Sequence, residues 1–192
     1  MVNCKSYSFE ENEHLYGPGK RLLLFLQGCS IHCKGCVNQH LWPFGTGTDI
    51  SVAEVVELCR DLEGITLHGG EPLDQSDGLL EIVEALKAEG KTVVLFTGYK
   101  RKELSKPTQR KVWQLADLVI SGRFEERKKN IYLQFRGSTN QRVYAHKGKY
   151  QNYRVSDGKS VGIIRLSENG VFQSRGFRND ELQVLIDELI NR

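Results

Sequence analysis

Three of the five cysteines lie close together, at Cys29, Cys33 and Cys36, with the spacing C-x3-C-x2-C. Thiolates bind zinc and iron-sulfur clusters, and this eight-residue loop, at most about 28 Å long when extended, can wrap a compact metal centre. Three thiolates leave one coordination position open. For zinc, His32 or His40 would fill that position and give a closed Cys3His site, so the loop alone fits a zinc knuckle and an iron-sulfur cluster equally well.

A second candidate site is the turn Gly69-Gly70-Glu71-Pro72, which follows a short predicted strand. Two glycines allow a ligand to approach the backbone closely and leave the backbone amide groups accessible. The carboxylate of Glu71 can accept a hydrogen bond from an ammonium group. This combination suits a small zwitterion.

The elements that must position these residues alternate between strand and helix. Predicted strands cover 21–26, 65–68, 92–96 and 118–120, and predicted helices cover about 51–62, 78–89 and 108–115. Such alternation predicts parallel strands with right-handed crossovers, in a barrel, a partial barrel or an open doubly wound sheet. In each of these folds the loops that follow the strands share one face. The cysteine loop, the Gly-Gly-Glu-Pro turn, Thr97 and Ser121 are therefore expected to converge.

This expected convergence favours an iron-sulfur cluster over zinc. A structural zinc ion usually stabilises a fold that is too small to hold itself together, whereas the cysteine loop lies on the ligand-binding face of a sheet that should be stable. The glycine-rich turn on the same face is the second reason, because it prepares a place for a small ligand beside the metal.

Outside the alternating core the sequence is less regular. Residues 1–20 are polar, and no strand is predicted before Arg21. Beyond Phe124, a strand is predicted at 142–145, a hairpin at 161–174, and a final helix that Asn179 or Asp180 caps. No domain boundary is evident. We therefore predict a single domain over residues 1–192, with a core at about 15–145 and a C-terminal extension at about 146–192.

The basic residues are unevenly distributed, although the formal net charge is only +3. Between Glu126 and Asp157 there is no acidic residue, and eight basic residues are interleaved with tyrosines. Such a stretch could be a docking surface or a nucleic-acid patch, although charge runs are usually solvated faces. One alternative is therefore a non-catalytic iron-sulfur or zinc protein that binds nucleic acid through residues 127–154.

The cysteine count and the apolar runs indicate the compartment. Five cysteines is an odd number, and three crowd into one loop, which favours metal binding in a reducing compartment over disulfides. No apolar run is long enough to span a membrane, and the N-terminus lacks the apolar core of a signal peptide. We expect a cytoplasmic protein without membrane contact.

Cys59 lies on the apolar face of a predicted helix and is expected in the core.

The cysteine loop after one strand and Gly-Gly-Glu-Pro after the next resemble the radical S-adenosylmethionine enzymes. The runs Gly17-Pro18-Gly19-Lys20-Arg21, Thr97-Gly98-Tyr99 and Gly137-Ser138-Thr139-Asn140-Gln141-Arg142 resemble the branch that activates glycyl-radical enzymes, and the likeness covers about residues 1–145. The resemblance implies an α/β fold, which we predict to be a partial (β/α) barrel with a small C-terminal hairpin and helix.

The resemblance also implies the cofactors and their contacts. Cys29, Cys33 and Cys36 would be the catalytic residues that bind a 4Fe-4S cluster, whose fourth iron is chelated by S-adenosylmethionine. Residues Gly69, Gly70 and Glu71 would meet the methionine end of that cofactor. Further cofactor contacts would come from Gly35, Cys36 and Val37 at the adenine, and from Asn38, Thr97 and Ser121.

The activity implied is that of an oxidoreductase. It would cleave S-adenosylmethionine and generate a glycyl radical on a partner, which for this branch is anaerobic ribonucleoside-triphosphate reductase. A flavodoxin- or ferredoxin-type protein would donate the electron. Another glycyl-radical enzyme or a small molecule remains an alternative target, although the short chain favours a protein partner that covers an open site.

Overall fold

A seven-stranded sheet forms the centre of this mixed α/β protein. The computed structural model describes residues 1–10, 15–146, 148–159, 162–166, 172–176 and 184. The strands of the sheet are β1 (Val2–Glu10), β2 (Arg21–Leu26), β3 (Thr48–Ile50), β4 (Gly64–Gly69), β5 (Thr92–Thr97), β6 (Leu118–Ser121) and β7 (Arg142–Ala145). A separate hairpin pairs β8 (Gly162–Leu166) with β9 (Phe172–Gly176). The helices are α1 (Val52–Leu58), α2 (Ser76–Ala88) and α3 (Pro107–Leu115).

The strand order confirms the predicted α/β fold. The sheet runs β3-β1-β2-β4-β5-β6-β7, and the four central strands β2, β4, β5 and β6 are parallel and follow one another in chain order. Each crossover thus adds the next strand on the same side of the previous one, as in a partial (β/α) barrel. In a doubly wound sheet the order in which strands are added reverses part-way through the chain. Strands β3 and β7 form the two edges of the sheet, and β1 lies between β3 and β2; these three strands are antiparallel to their neighbours.

Successive side chains of the central strands point to opposite faces of the sheet. The outer face packs against the three helices and forms the larger core, which also contains Cys59, as predicted. Its strand residues are Leu22, Leu24, Leu26, Ile65, Leu67, Val93, Leu95 and Val119. The inner face forms a smaller cluster with the segment that follows β6, through Val94, Leu118, Ile120, Phe135 and Tyr150.

Two strands, β1 and β3, were not expected from the sequence. Strand β1 lies in the segment judged polar, but Val2 and Cys4 alternate with exposed or half-exposed neighbours and are themselves buried. This period-two pattern is short and contains only small or moderately apolar residues, so it is a weak strand signal. Strand β3 has only three residues. The predicted C-terminal helix lies outside the described residues.

The predicted boundaries agree with the observed ones to within a few residues, and the hairpin near the C-terminus is confirmed. Helix α1 begins at a capping box, in which Ser51 and Glu54 exchange hydrogen bonds, but it ends at Leu58 instead of continuing to about residue 62. Nowhere in the described ranges is there a helix long and apolar enough to cross a membrane.

Arg21 organises the end of the sheet opposite to the loops that follow the strands. Its guanidinium group is fully buried at the start of β2. The group donates hydrogen bonds to the Thr66 hydroxyl (2.9 Å), to the Ile65 carbonyl (2.8 Å) and to both the hydroxyl and the carbonyl of Thr92 (2.9 and 3.0 Å). The guanidinium also donates to the hydroxyl of Tyr150 (3.2 Å), which lies beyond the end of β7. One side chain therefore joins β2, β4 and β5.

Replacing Arg21 by lysine is expected to lower the free energy of unfolding by about 3 kcal/mol, because an ammonium group cannot reproduce the planar fork and leaves buried acceptors unpaired. Urea denaturation of the metal-free protein measures this change. Arg60→Lys is the matched control: Arg60 has a side chain that is 68% exposed, and its replacement should change stability by less than about 0.5 kcal/mol. Equal denaturation midpoints for both variants would show that the Arg21 network contributes nothing.

Candidate metal and cofactor site

The loops that follow the central strands surround a cavity of about 820 Å³. This volume lies within the usual range for small-ligand sites. The cavity brings together the cysteine loop, the Gly-Gly-Glu turn and the loop after β5, as the sequence predicts. The predicted site residues that line it are Cys29, Cys33, Gly35, Cys36, Val37, Asn38, Gly69, Gly70, Glu71 and Thr97.

The three cysteines have free thiols, and they differ in exposure. Cys29 is only 8% exposed, while Cys33 and Cys36 are half-buried. Burial raises the pKa of the Cys29 and Cys33 thiols above their ordinary value. A thiolate at these positions therefore needs a nearby positive charge, and bound metal ions provide one.

Hydrogen bonds fix the cysteine loop at its start. The backbone N–H of Cys29 donates to the Trp42 carbonyl (3.1 Å), and Gly28 N–H donates to the Leu41 carbonyl (2.7 Å). The Gly-Gly-Glu turn is attached to the same place, because Glu71 N–H donates to the Gly28 carbonyl (2.9 Å). The first cysteine and the turn therefore have a fixed relation to each other.

A second attachment was missed from the sequence. The Asp74 carboxylate accepts hydrogen bonds from the backbone N–H of Ser30 (2.7 Å), from its hydroxyl (2.9 Å) and from the Tyr99 hydroxyl (2.9 Å). Ser30 follows Cys29, and Tyr99 follows β5, so one carboxylate connects three loops. The available signal was weak: an aspartate three residues after Glu71 and a tyrosine after a strand are both common turn residues.

Glu71 has a different environment from the one expected. Its side chain is 1% exposed, and its carboxylate already accepts three hydrogen bonds: from the Thr97 hydroxyl (2.7 Å), Leu73 N–H (3.0 Å) and Gly98 N–H (2.7 Å). These bonds join the end of β4 to the end of β5. Glu71 therefore braces the cavity wall in this structure, in addition to lining it.

Burial raises the pKa of Glu71 from 4.5 to about 7, although the three hydrogen bonds that its carboxylate accepts oppose the shift. Between these two pH values the folded chain binds a proton that the unfolded chain has lost, so the free energy of unfolding should fall as pH rises from about 4.5 to 7. The contribution amounts to at most about 3 kcal/mol. Urea denaturation of the metal-free protein across this window should show this decline, and Glu71→Gln should remove it. Parallel curves would mean that Glu71 ionises normally.

The two remaining predicted residues, Asn38 and Ser121, differ in position. Asn38 precedes a short 3-10 turn at Gln39–Leu41 and lies on the cavity wall. Ser121 is buried at the end of β6 and donates its hydroxyl to the Tyr99 carbonyl (2.8 Å), so it holds the loop after β5; the neighbouring Gly122 lines the cavity instead.

The segment after β6 covers the inner side of the cavity. Two residues of its Gly-Ser-Thr-Asn-Gln-Arg run hold it: Asn140 donates to the Arg123 carbonyl (2.8 Å), and Gln141 donates to the Gly122 carbonyl (2.9 Å). Apolar residues of this segment face the cavity, at Ile131, Leu133 and Phe135.

Several residues of the basic stretch are ion-paired. Arg136 contacts the Asp157 carboxylate (2.6 Å), and Lys149 contacts the Glu63 carboxylate (2.7 Å). Lys128 pairs with a neighbouring glutamate in the same turn (2.7 Å). Three of the eight basic residues are therefore compensated by carboxylates, which weakens the nucleic-acid alternative because phosphate binding needs uncompensated cations.

The donor set fits a 4Fe-4S cluster. In the part of the chain that the structure describes, no three His, Cys, Asp or Glu side chains lie close enough together to hold a single metal ion. Cluster thiolates each bind a different iron and are spaced more widely than that. The buried indole N–H of Trp42, another wall residue, has no acceptor among the described residues, and a cluster or thiolate sulfur would supply one.

Residues 15–144 match a protein-family model described as a 4Fe-4S single cluster domain. The chain is 35% identical over 139 residues to the anaerobic ribonucleoside-triphosphate reductase-activating protein of Escherichia coli K12, which covers 67% of this chain and 90% of that protein. Proteins of the same name from Haemophilus influenzae and Enterobacteria phage T4 are 36% and 34% identical over 68% of this chain, and over 91% and 86% of their own lengths. Among solved structures, QueE from Escherichia coli aligns with a TM-score of 0.45 at 15% identity, over 60% of this chain and 68% of QueE.

Proposed function

Because this chain belongs to the family of anaerobic ribonucleoside-triphosphate reductase-activating proteins, we propose that it is a radical S-adenosylmethionine enzyme that generates a glycyl radical on such a reductase. The observation that carries the proposal is the cavity at the C-terminal ends of the parallel strands, where three thiols and a Gly-Gly-Glu turn share one wall. This arrangement provides three ligands for a cluster beside a place for a small zwitterion.

Each part of the wall has a proposed task. Cys29, Cys33 and Cys36 hold the 4Fe-4S cluster and leave one iron without a protein ligand. Gly69-Gly70-Glu71 receives the amino and carboxylate end of S-adenosylmethionine, and Gly35-Cys36-Val37 lies against its adenine. When bound, the two cofactors supply the one-electron chemistry that cleaves S-adenosylmethionine and removes a hydrogen atom from a glycine of the partner. Asn38 and Thr97 complete the wall.

The protein itself contributes an apolar inner wall and rigidly held loops. Phe25, Phe96 and Phe135 line the inner side of the cavity, so a bound ligand faces apolar side chains there. The Glu71 carboxylate and the Asp74 carboxylate fix the loops after β2, β4 and β5 relative to one another. Such preorganisation matters because positioning errors of about 1 Å can cost about 100-fold in rate.

The surface around the cavity favours a protein as the target. Val37 lines the cavity and is 80% exposed, and Tyr132, which lies between two cavity-lining residues, is 52% exposed. Exposed apolar side chains around a concave site are typical of an interaction surface. A docked partner would cover them and close the cavity. The electron would come from a flavodoxin- or ferredoxin-type protein in the cytoplasm, where the thiols stay reduced.

Anaerobic reconstitution with iron and sulfide tests the proposal. We expect a brown protein that, after reduction, converts S-adenosylmethionine to methionine and 5'-deoxyadenosine. Addition of the full-length reductase should then produce a glycyl-radical signal in electron paramagnetic resonance. A colourless protein that retains zinc would overturn the radical chemistry, whereas cofactor cleavage without a signal on the reductase would overturn the choice of partner.

A further inference from the structure

One polar side chain interrupts an apolar row on the inner face of the sheet. His68 pairs in register with Phe25 on β2, and the register of β4 with β5 continues to Phe96, whose ring centroid lies 4.5 Å from that of His68. Phe96 in turn pairs with Ile120 on β6. All four side chains line the cavity, so the row forms one wall with a single polar member.

The chemistry of His68 is fixed by its surroundings. Backbone N–H of Gly69 donates to Nδ1 (2.7 Å), so Nδ1 is the acceptor and Nε2 carries the proton of the neutral ring. Burial lowers the pKa of His68 to about 4, which keeps the ring neutral at neutral pH. Tyr16 and Phe25 pack against the ring at centroid distances of 6.3 and 5.4 Å and hold its orientation. Among the described residues, none accepts a hydrogen bond from Nε2–H.

The position of this donor separates it from the cysteine loop. His68 lies within β4, whereas Gly70, Gly98 and Gly122 lie just beyond the ends of β4, β5 and β6, so the His68 row is further toward the start of the strands than these glycines. A cofactor seated on the glycines and the cysteines therefore leaves the His68 row facing the rest of the cavity. That remaining space is bounded mainly by apolar side chains such as Leu133 and Phe135.

A peptide segment that enters this space loses water from its carbonyl groups, and an unpaired buried carbonyl is costly. A neutral N–H donor is the matching partner for a neutral carbonyl oxygen. We propose that Nε2–H of His68 donates a hydrogen bond to a main-chain carbonyl of the glycine-bearing segment of the partner enzyme and thereby positions that segment. The inference rests on the proposed function, because it takes the reductase as the molecule that fills the cavity.

The test compares His68→Phe, which keeps an aromatic ring but lacks the donor, with His68→Gln, which restores a donor at the distance of Nε2. The measurements use reconstituted protein and full-length reductase: the KM for the reductase in glycyl-radical formation, the affinity of the two proteins in a direct binding assay, and the Kd for S-adenosylmethionine. His68→Phe should raise the KM and weaken binding of the reductase about 10-fold. His68→Gln should stay within about threefold of the wild type.

The cofactor readouts decide between the alternatives. The Kd for S-adenosylmethionine and its cleavage without the reductase should change to the same extent in both variants, because both lack the Nδ1 acceptor of the Gly69 N–H and differ only in the donor that replaces Nε2–H. A raised cofactor Kd with an unchanged KM for the reductase, or equal losses in both variants, would overturn the inference. His68→Leu provides a second variant without a donor and should behave like His68→Phe. A wild-type protein that cleaves the cofactor but never transfers the radical would instead refute the proposed partner, and the inference with it.

Discussion

Replacing Cys33 by alanine is expected to reduce cleavage of S-adenosylmethionine to background. The substitution removes one of three thiolates, and the remaining Cys29 and Cys36 cannot hold three irons of a cluster. The reconstituted variant should contain little iron and sulfide and should lack the absorbance of the cluster. Iron content, sulfide content, the absorbance spectrum and the formation of 5'-deoxyadenosine can all be measured on one preparation.

Cys59→Ala is the matched control for this prediction. Cys59 is fully buried in the core beneath the helices, away from the cavity wall, and burial raises the pKa of its thiol to about 11, so it stays protonated. The control should keep its cluster and its activity, with a loss of about 1 kcal/mol in stability. If Cys33→Ala keeps as much iron as Cys59→Ala, the cluster is not bound where we place it.

The second large effect is expected for Gly70→Ala. A Cβ atom at this position would lie 2.0 Å from the Gly28 carbonyl oxygen and 2.7 Å from its carbon, and these are backbone atoms that cannot move aside. The same carbonyl accepts the Glu71 N–H, so the start of the cysteine loop and the turn would be forced apart together. A displacement of about 1 Å at a reacting centre costs about 100-fold, and we expect a loss of that size in cofactor cleavage.

Gly98→Ala provides the comparison, since this glycine lies on the same cavity wall. Its Cβ would lie 2.6 Å from the end of the flexible Ile31 side chain, which a rotamer change can move, and 3.5 Å from Glu71 Oε2, an ordinary van der Waals distance. The loss should stay below about 10-fold. Assays of cofactor cleavage and of thermal stability on both variants separate the two cases. Equal losses of cofactor cleavage in Gly70→Ala and Gly98→Ala would mean that the loss comes from filling the space beside the glycines and not from the clash with the Gly28 carbonyl.

The sequence was sufficient to predict the central strands and the shared face of the loops that follow them. Apolar runs and helix signals at regular intervals identified β2, β4, β5 and β6, and the rule that loops after parallel strands share a face brought Cys29 and Gly70 together. Strand β1 was missed because its alternation is short and depends on Val2 and Cys4. Strand order was also undetermined, since local patterns contain no information on which strands become neighbours.

The supporting residues of the site were harder to predict, for a physical reason. Asp74, Tyr99 and His68 act through hydrogen bonds and ring contacts to residues far away in the chain. Their types are common at strand ends and in turns, so composition and spacing do not distinguish them from ordinary turn residues. Glu71 was identified, but its contacts to Thr97 and Gly98 depend on the pairing of β4 with β5, which only the folded chain shows.

The Asp74 contacts have a consequence for the order in which the holoprotein is made. Ser30 and Asp74 are 44 residues apart, and Asp74 and Tyr99 are 25 apart, so this network closes only after three strand-and-loop units have come together. Closing such distant contacts is a late event in folding. The start of the cysteine loop is therefore held by the folded sheet, and we expect iron and sulfide to be inserted after the chain has folded. This order is the reverse of that in a zinc finger, where the metal drives the polypeptide to fold.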